Sequence, residues 1–158
     1  MQDSHTQTFN SGAINLDDGA TTYDITVAVN YSIEGKAYSK ATVSNGATPT
    51  SQGDSTAFST VAVNYGCVLL WCLNAAGTVG LFQSDVVALN SGGTDFADGK
   101  APNFPVVDLS TWCPFAYSVI LNGPTGSTFT VGSSNWNATG IVETSVNINR
   151  YPKRPQQS

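Results

Sequence analysis

The stretch YGCVLLWCLNAAGTVGLFQSDVVAL, from Tyr65 to Leu89, carries one formal charge, Asp85, and no histidine. It is too short and too interrupted to cross a bilayer, since a spanning helix needs about 20 consecutive apolar residues. Asn74-Ala75-Ala76-Gly77 has the chemistry of a type I turn, with Asn first and Gly in the left-handed position of a G1 bulge. Folding there sets Asn74 against Thr78, Leu73 against Val79, Trp71 against Leu81, Leu70 against Phe82 and Leu69 against Gln83. Side chains alternate along a strand. Cys67, Leu69, Trp71 and Leu73 therefore form one face, and Val68, Leu70 and Cys72 the other. Both faces are apolar, which marks a central strand covered on both sides. A second sheet supplies one cover; the other falls to a loop of the same chain or to a neighbouring subunit.

The strongest alternation lies upstream. In TYDITVAVNYSI, Tyr23, Ile25, Val27, Val29, Tyr31 and Ile33 occupy one face of a half-buried strand. Glu34-Gly35 then reads as a tight hairpin turn into KAYSKATV. That register places Ile33 opposite Lys36 and Tyr31 opposite Tyr38, an aromatic cross-strand pair. SNGATPTSQGDST is turn chemistry, and AFSTVAV reads as a further strand in preference to a short helix. After the irregular loop NSGGTDFADGKAPNFP, the segment CPFAYSVIL places Phe115, Tyr117, Val119 and Leu121 on one face. STFTV reads as its return strand. In GIVETSVNI the inward set is Val142, Thr144, Val146 and Ile148, with Glu143, Ser145 and Asn147 outward. About eight short strands separated by turns predict an all-β fold, an antiparallel β-sandwich or jelly roll. The sandwich is expected over 22–149, flanked by an N-terminal arm, 1–21, and a C-terminal tail, 150–158. Each end would serve to lock neighbouring subunits. Phe9, Ile14 and Leu16 in the arm, Trp71 and Leu81 in the ribbon, and Arg150, Tyr151, Lys153 and Arg154 in the basic tail are the candidate interface residues.

Charge narrows the function. Asp, Glu, Lys and Arg make up 11% of the chain, less than half the usual share, and none falls between Asp54 and Asp85 or between Asp108 and Glu143. Such a surface repels its neighbours weakly and tolerates permanent contacts. The net charge of -5 argues against nucleic acid as a partner, and no membrane span or signal peptide is expected. The sequons at Asn30 and Asn137 are accordingly read as unused. Cys67, Cys72 and Cys113 are odd in number, and the first two point to opposite faces of one strand. They read as small apolar fillers in a reducing compartment, not as ligands or a bridge.

Catalytic machinery is not expected, nor is any cofactor. His5 is the single histidine and sits in the arm, whereas acid–base and nucleophilic sites usually need a placed imidazole or a perturbed carboxylate pair. Gly53-Asp54-Ser55 matches the opening of GDS-type esterases, which need a downstream histidine that this chain lacks. Asp17-Asp18-Gly19 and Asp95-Phe96-Ala97-Asp98-Gly99 offer hard oxygen ligands without EF-hand spacing, and read as acidic turns. Trp112 and Trp136, at strand ends, are the candidates for stacking on a sugar.

The order YSIEGKAYSKA, CVLLW, LNAAGTV, CPFAYSVI and SNWNATGI resembles a group of small virion-associated proteins of tailed bacteriophages, over about Tyr23 to Ile148. The resemblance implies a capsid cement or decoration protein: a β-sandwich on the shell exterior, bound to the major capsid protein, assembled as a homotrimer and devoid of catalytic residues. A host-recognition module of a head or tail fibre, binding a carbohydrate or receptor, is the alternative.

Overall fold

The computed structural model describes residues 5–16 and 20–148. Within them the chain is nearly all β, with strands β1 (Gln7–Thr8), β2 (Ile14–Leu16), β3 (Thr22–Ile25), β4 (Val29–Ile33), β5 (Lys36–Lys40), β6 (Val43–Ala47), β7 (Tyr65–Asn74), β8 (Val79–Gln83), β9 (Val87–Ala88), β10 (Trp112–Asn122) and β11 (Ile141–Asn147). A single 3-10 turn at Ala97–Gly99 completes the regular elements.

Layer one is the antiparallel sheet β11-β10-β7-β8, with β9 extending the β8 side of β7. β7 sits inside it, as its apolar composition requires. The register read from the turn is the observed one: Leu69 opposite Gln83, Trp71 opposite Leu81 and Leu73 opposite Val79. Gly77, at φ 75°, donates its N–H to the Asn74 carbonyl at 2.9 Å and closes the turn.

Layer two consists of two three-stranded sheets, β1-β4-β5 and β2-β3-β6. They are two halves of one bent meander. β1 on β4 and β2 on β3 share a single register, and the bonds Thr26 N–H to Ala13 O and Val27 N–H to Gly12 O continue it across the gap. The predicted strand over 22–33 therefore runs its full length but bends at Thr26–Ala28. The bend lifts Val27 out to 47% exposure, while the other five apolar residues of its face are buried. The Glu34-Gly35 hairpin forms as predicted, with both residues at positive φ and Tyr31 stacked on Tyr38 at 5.6 Å.

Four sequence expectations need correction. Residues 5–16 are not a free arm, because they form the edge strand of layer two and bury Ile14 and Leu16 in the core. Thr8 Oγ1 and Ile14 N–H also bond to Ile148 O and Asn147 Oδ1, tying that edge to β11. AFSTVAV and STFTV form no strands; they meet in the lone bridge between Val61 and Phe129, held by burial of Phe58, Val61, Phe129 and Val131. A bulge between Pro114 and Ala116 puts Phe115 with the layer-two core, opposite Tyr117. Val142 and Thr144, expected inward, are exposed, because nothing among the described residues lies over that end of β11.

The two faces of β7 find different covers. Cys67, Leu69, Trp71 and Leu73 pack against Tyr23, Ile25, Val29, Tyr31 and Ile33 of layer two. Val68, Leu70 and Cys72 are closed by the chain's own loop 89–111, through Leu89, Phe96 and Phe104. The Phe104 ring meets Tyr117 edge-on at 5.1 Å. Full burial of each large apolar side chain is worth about 1.5–3 kcal/mol, so the loop acts as a third layer of the core. Replacing Phe96 or Phe104 with Ala should lower unfolding free energy by about 3–5 kcal/mol in urea titrations. A loss below about 1 kcal/mol in both would mean that the loop is not a structural cover.

Candidate functional site

The edge of β8 and the loop that covers its sheet leave an open groove of about 410 Å³ between them, lined by residues that include Gln52, Asp54, Phe82, Asp85, Asn103 and Phe104. Three segments build it. Residues 52–59 run along β8 in place of a neighbouring strand: Gly53 N–H donates to Leu81 O, and the Gln83 side chain bonds to Ser59 through both its carbonyl and its amide group. Gln52 Oε1 accepts from Gln83 N–H at 2.8 Å, so one glutamine positions the other. Phe82 contributes the aromatic floor, supported from behind by the Trp112 ring at 5.5 Å. Trp112 in turn lies on Gly80, where a Cβ would stand 2.5 Å from the ring; only glycine admits the indole there. The third wall is Asn103–Val106 of the covering loop, ending in Val106 at 96% exposure.

Electrostatically the groove is acidic. Asp54 accepts bonds from the hydroxyl and N–H of Thr56, which hold its carboxyl below the usual carboxylate range. Asp85 also lines it, and no lysine or arginine is among the lining residues. Polar amides, two carboxylates and a recessed aromatic ring are the groups that bind hydroxyl-rich ligands, with orientation set by a few polar atoms.

The predicted site residues distribute differently. Trp71 and Leu81 are fully buried within the single chain, and Ile14 and Leu16 are 7% exposed, so these four cannot be the contact surface expected of them. Phe9 is 57% exposed. Arg150, Tyr151, Lys153 and Arg154 lie outside the described residues, as do Asp17 and Asp18. Trp136 is 3% exposed, and its indole N–H donates to Thr22 O, so it is core and not a stacking platform. Trp112 supports Phe82 instead of offering its own face.

The remaining motifs resolve into turns. Gly53-Asp54-Ser55 is a tight turn in which Ser55, at φ 70°, donates its N–H to Gln52 O. His5 lies elsewhere, its carbonyl accepting from the Gly35 N–H and the Ser32 hydroxyl. Asp98 and Gly99 take positive φ in the 3-10 turn, and Asp95 accepts from the Phe96 N–H. Among the described residues, no three of His, Cys, Asp and Glu gather as a metal site.

Sequence reasoning missed the groove because its walls come from segments far apart in the chain. It also missed a polar relay through the core. The Trp71 indole N–H donates to Ser118 Oγ at 3.0 Å, Ser118 meets Ser145, and the Ser145 hydroxyl donates to Glu143.

The chain matches no family model, no curated protein and no solved structure.

The cysteines are buried and unbridged. Burial pushes the Cys67 thiol up from 9.0 to about 11, with the Gln83 amide partly offsetting it. Burial likewise raises Cys113 to about 12 and Cys72 well above its ordinary value. A folded-state value above the unfolded one means that the native protein holds its protons longer. The associated stability is full below about pH 9 and is lost progressively as pH rises from there, through about 11 for Cys67 and about 12 for Cys113. Urea midpoints should therefore fall steeply over that interval. At pH 7.5 the native thiols should resist Ellman's reagent until urea exposes all three; a fast-reacting native thiol would contradict the burial.

Proposed function

We propose that this chain is a structural protein of a bacteriophage particle, a cement or decoration subunit bound with copies of itself to the outside of the assembled capsid shell. In this reading its partner is the major capsid protein and it performs no chemistry. The observation that carries it is the distribution of exposed apolar side chains. Phe9 (57%), Val27 (47%), Tyr65 (42%), Val106 (96%) and Val142 (56%) stand out singly on a domain whose two core faces are already closed. Around them the surface is rich in Ser, Thr, Asn and Gly and poor in charge. Small separate contacts of this kind bind weakly alone but firmly when several engage one rigid lattice, because each later contact forms at high effective concentration. The order of segments that resembles virion-associated proteins points the same way.

The test is co-sedimentation with assembled shells of the encoding phage, beside unassembled shell protein. Binding should be strong to shells and weak to free subunits, and Phe9→Ser or Val106→Asp should weaken it about tenfold or more. Equal binding to both forms, or none to shells, would remove the proposal.

A second reading, a host-recognition module, is favoured by the groove between Phe82, Phe104, Asp85 and Asn103. It expects multivalently displayed protein to bind glycans on an array, with signal lost in Asp85→Ala and Asn103→Ala. A silent array under multivalent display would count against it.

A further inference from the structure

An asparagine loses its side-chain amide most readily when glycine follows it, because glycine has no Cβ to keep its backbone nitrogen away from the amide carbon. The chain has two such pairs, Asn45-Gly46 and Asn122-Gly123. As sequence they are equivalent. The fold places them in opposite surroundings.

Asn122 ends β10 and is fully buried. Its Nδ2 donates to Val61 O at 2.9 Å and to Ser127 O at 2.7 Å, so both amide hydrogens are engaged. The Gly123 N–H, whose nitrogen would have to attack, donates to Gly140 O at 2.8 Å. Gly126 closes the remaining side so tightly that a Cβ there would overlap the Asn122 amide oxygen. Water, leaving group and nucleophile are all withheld.

Asn45 is exposed on β6, an outer strand of the sheet β2-β3-β6. It stands at a bulge: Tyr23 pairs with Gly46 and Ile25 with Val43, so Asp24 alone opposes both Ser44 and Asn45. Its φ of 52° is left-handed, a conformation asparagine tolerates. The Asn45 N–H donates to Asp24 Oδ1 at 2.6 Å, whereas its side-chain amide reaches only Ser44 Oγ, at 3.4 Å, among the described residues. Gly46 is required where it stands, since a Cβ would lie 2.7 Å from Val43 Cγ1 and 2.8 Å from the Tyr23 ring. The labile pair is thus built into the bulge.

One bond restrains it. Thr48 N–H donates to Thr21 O, and antiparallel pairs alternate, so Gly46 opposite Tyr23 falls at a bonded position. Freeing its nitrogen requires only the outer strand to open locally, whereas freeing Gly123 disturbs the packed end of β10. Openings of the first kind cost far less than those of the second.

We infer that Asn45 is a site of spontaneous deamidation in the folded protein, and that Asn122 is shielded from the same reaction. The Gly46 nitrogen gives its proton to solvent base and attacks Asn45 Cγ. The new C–N bond closes a cyclic imide, and Nδ2 leaves as ammonia. Water then opens the ring at either carbonyl: at Cγ it yields aspartate, at the backbone carbon isoaspartate. Either product adds a carboxylate at the residue whose N–H the Asp24 carboxylate already holds, and like charges so placed loosen β6 from β3. The inference is independent of shell binding.

The test follows the folded full chain in warm, mildly alkaline buffer by peptide mapping with mass spectrometry, scoring isoaspartate by enzymatic methyl transfer. Asn45 should convert at least about tenfold faster than Asn122, and in urea the two rates should converge. Asn45→Gly keeps a residue suited to positive φ, so it should fold with undiminished stability and lose the modification. Asn45→Asp should have a lower urea midpoint than Asn45→Gly. An Asn45 that stays intact in the native chain but converts in urea would show that the ladder holds Gly46, and would overturn the inference. Equal native rates at Asn45 and Asn122 would overturn it as well.

Discussion

Double coverage of β7 is the constraint on which the rest of the structure depends. A strand with Leu69 and Trp71 on one side and Leu70 and Val68 on the other cannot be stable with either side wet. Layer two meets one face with a bent three-stranded meander, whose bend at Thr26–Ala28 lets its two ends pack on the same sheet. The loop 89–111 meets the other without regular structure, by inserting Phe96 and Phe104 as two large plugs. That choice frees the domain from needing a partner to close its core. Any contact it makes with other molecules must use what remains outside.

What remains outside has a consistent character. Bending the meander exposes Val27, ending the covering loop exposes Val106, and the short reach of that loop leaves Val142 and Thr144 bare on β11. Each exposed apolar side chain is thus a by-product of how the core was closed. The groove has the same origin: it lies where the covering loop meets the 52–59 segment that replaces a strand beside β8. Core construction and potential contact surface are two views of one arrangement.

Much of the local structure could be read from the residues. Both hairpins were legible down to register, because Glu34-Gly35 and Asn74-Ala75-Ala76-Gly77 carry their turn chemistry within four residues, and alternation on either side then leaves one pairing. The candidate site was hardly legible. Gln52, Phe82 and Asn103 carry no joint signal in sequence and meet only through folding. The tryptophans misled for a physical reason: a ring beside Asn or Pro looks like a strand-end platform, yet burial of Trp136 and support of Phe82 by Trp112 satisfy both rings internally.

By itself, then, the order of residues determined an all-β antiparallel fold, a doubly apolar central strand, unbridged cysteines and two hairpin registers, since periodicity and turn chemistry act over a few neighbours. Tertiary structure alone decided that the leading segment is an edge strand, that the second face of β7 is covered from within the chain, and that Phe115 and Tyr117 part ways at a bulge. These outcomes depend on which distant surfaces meet, and such contacts are set by the packing of the whole domain.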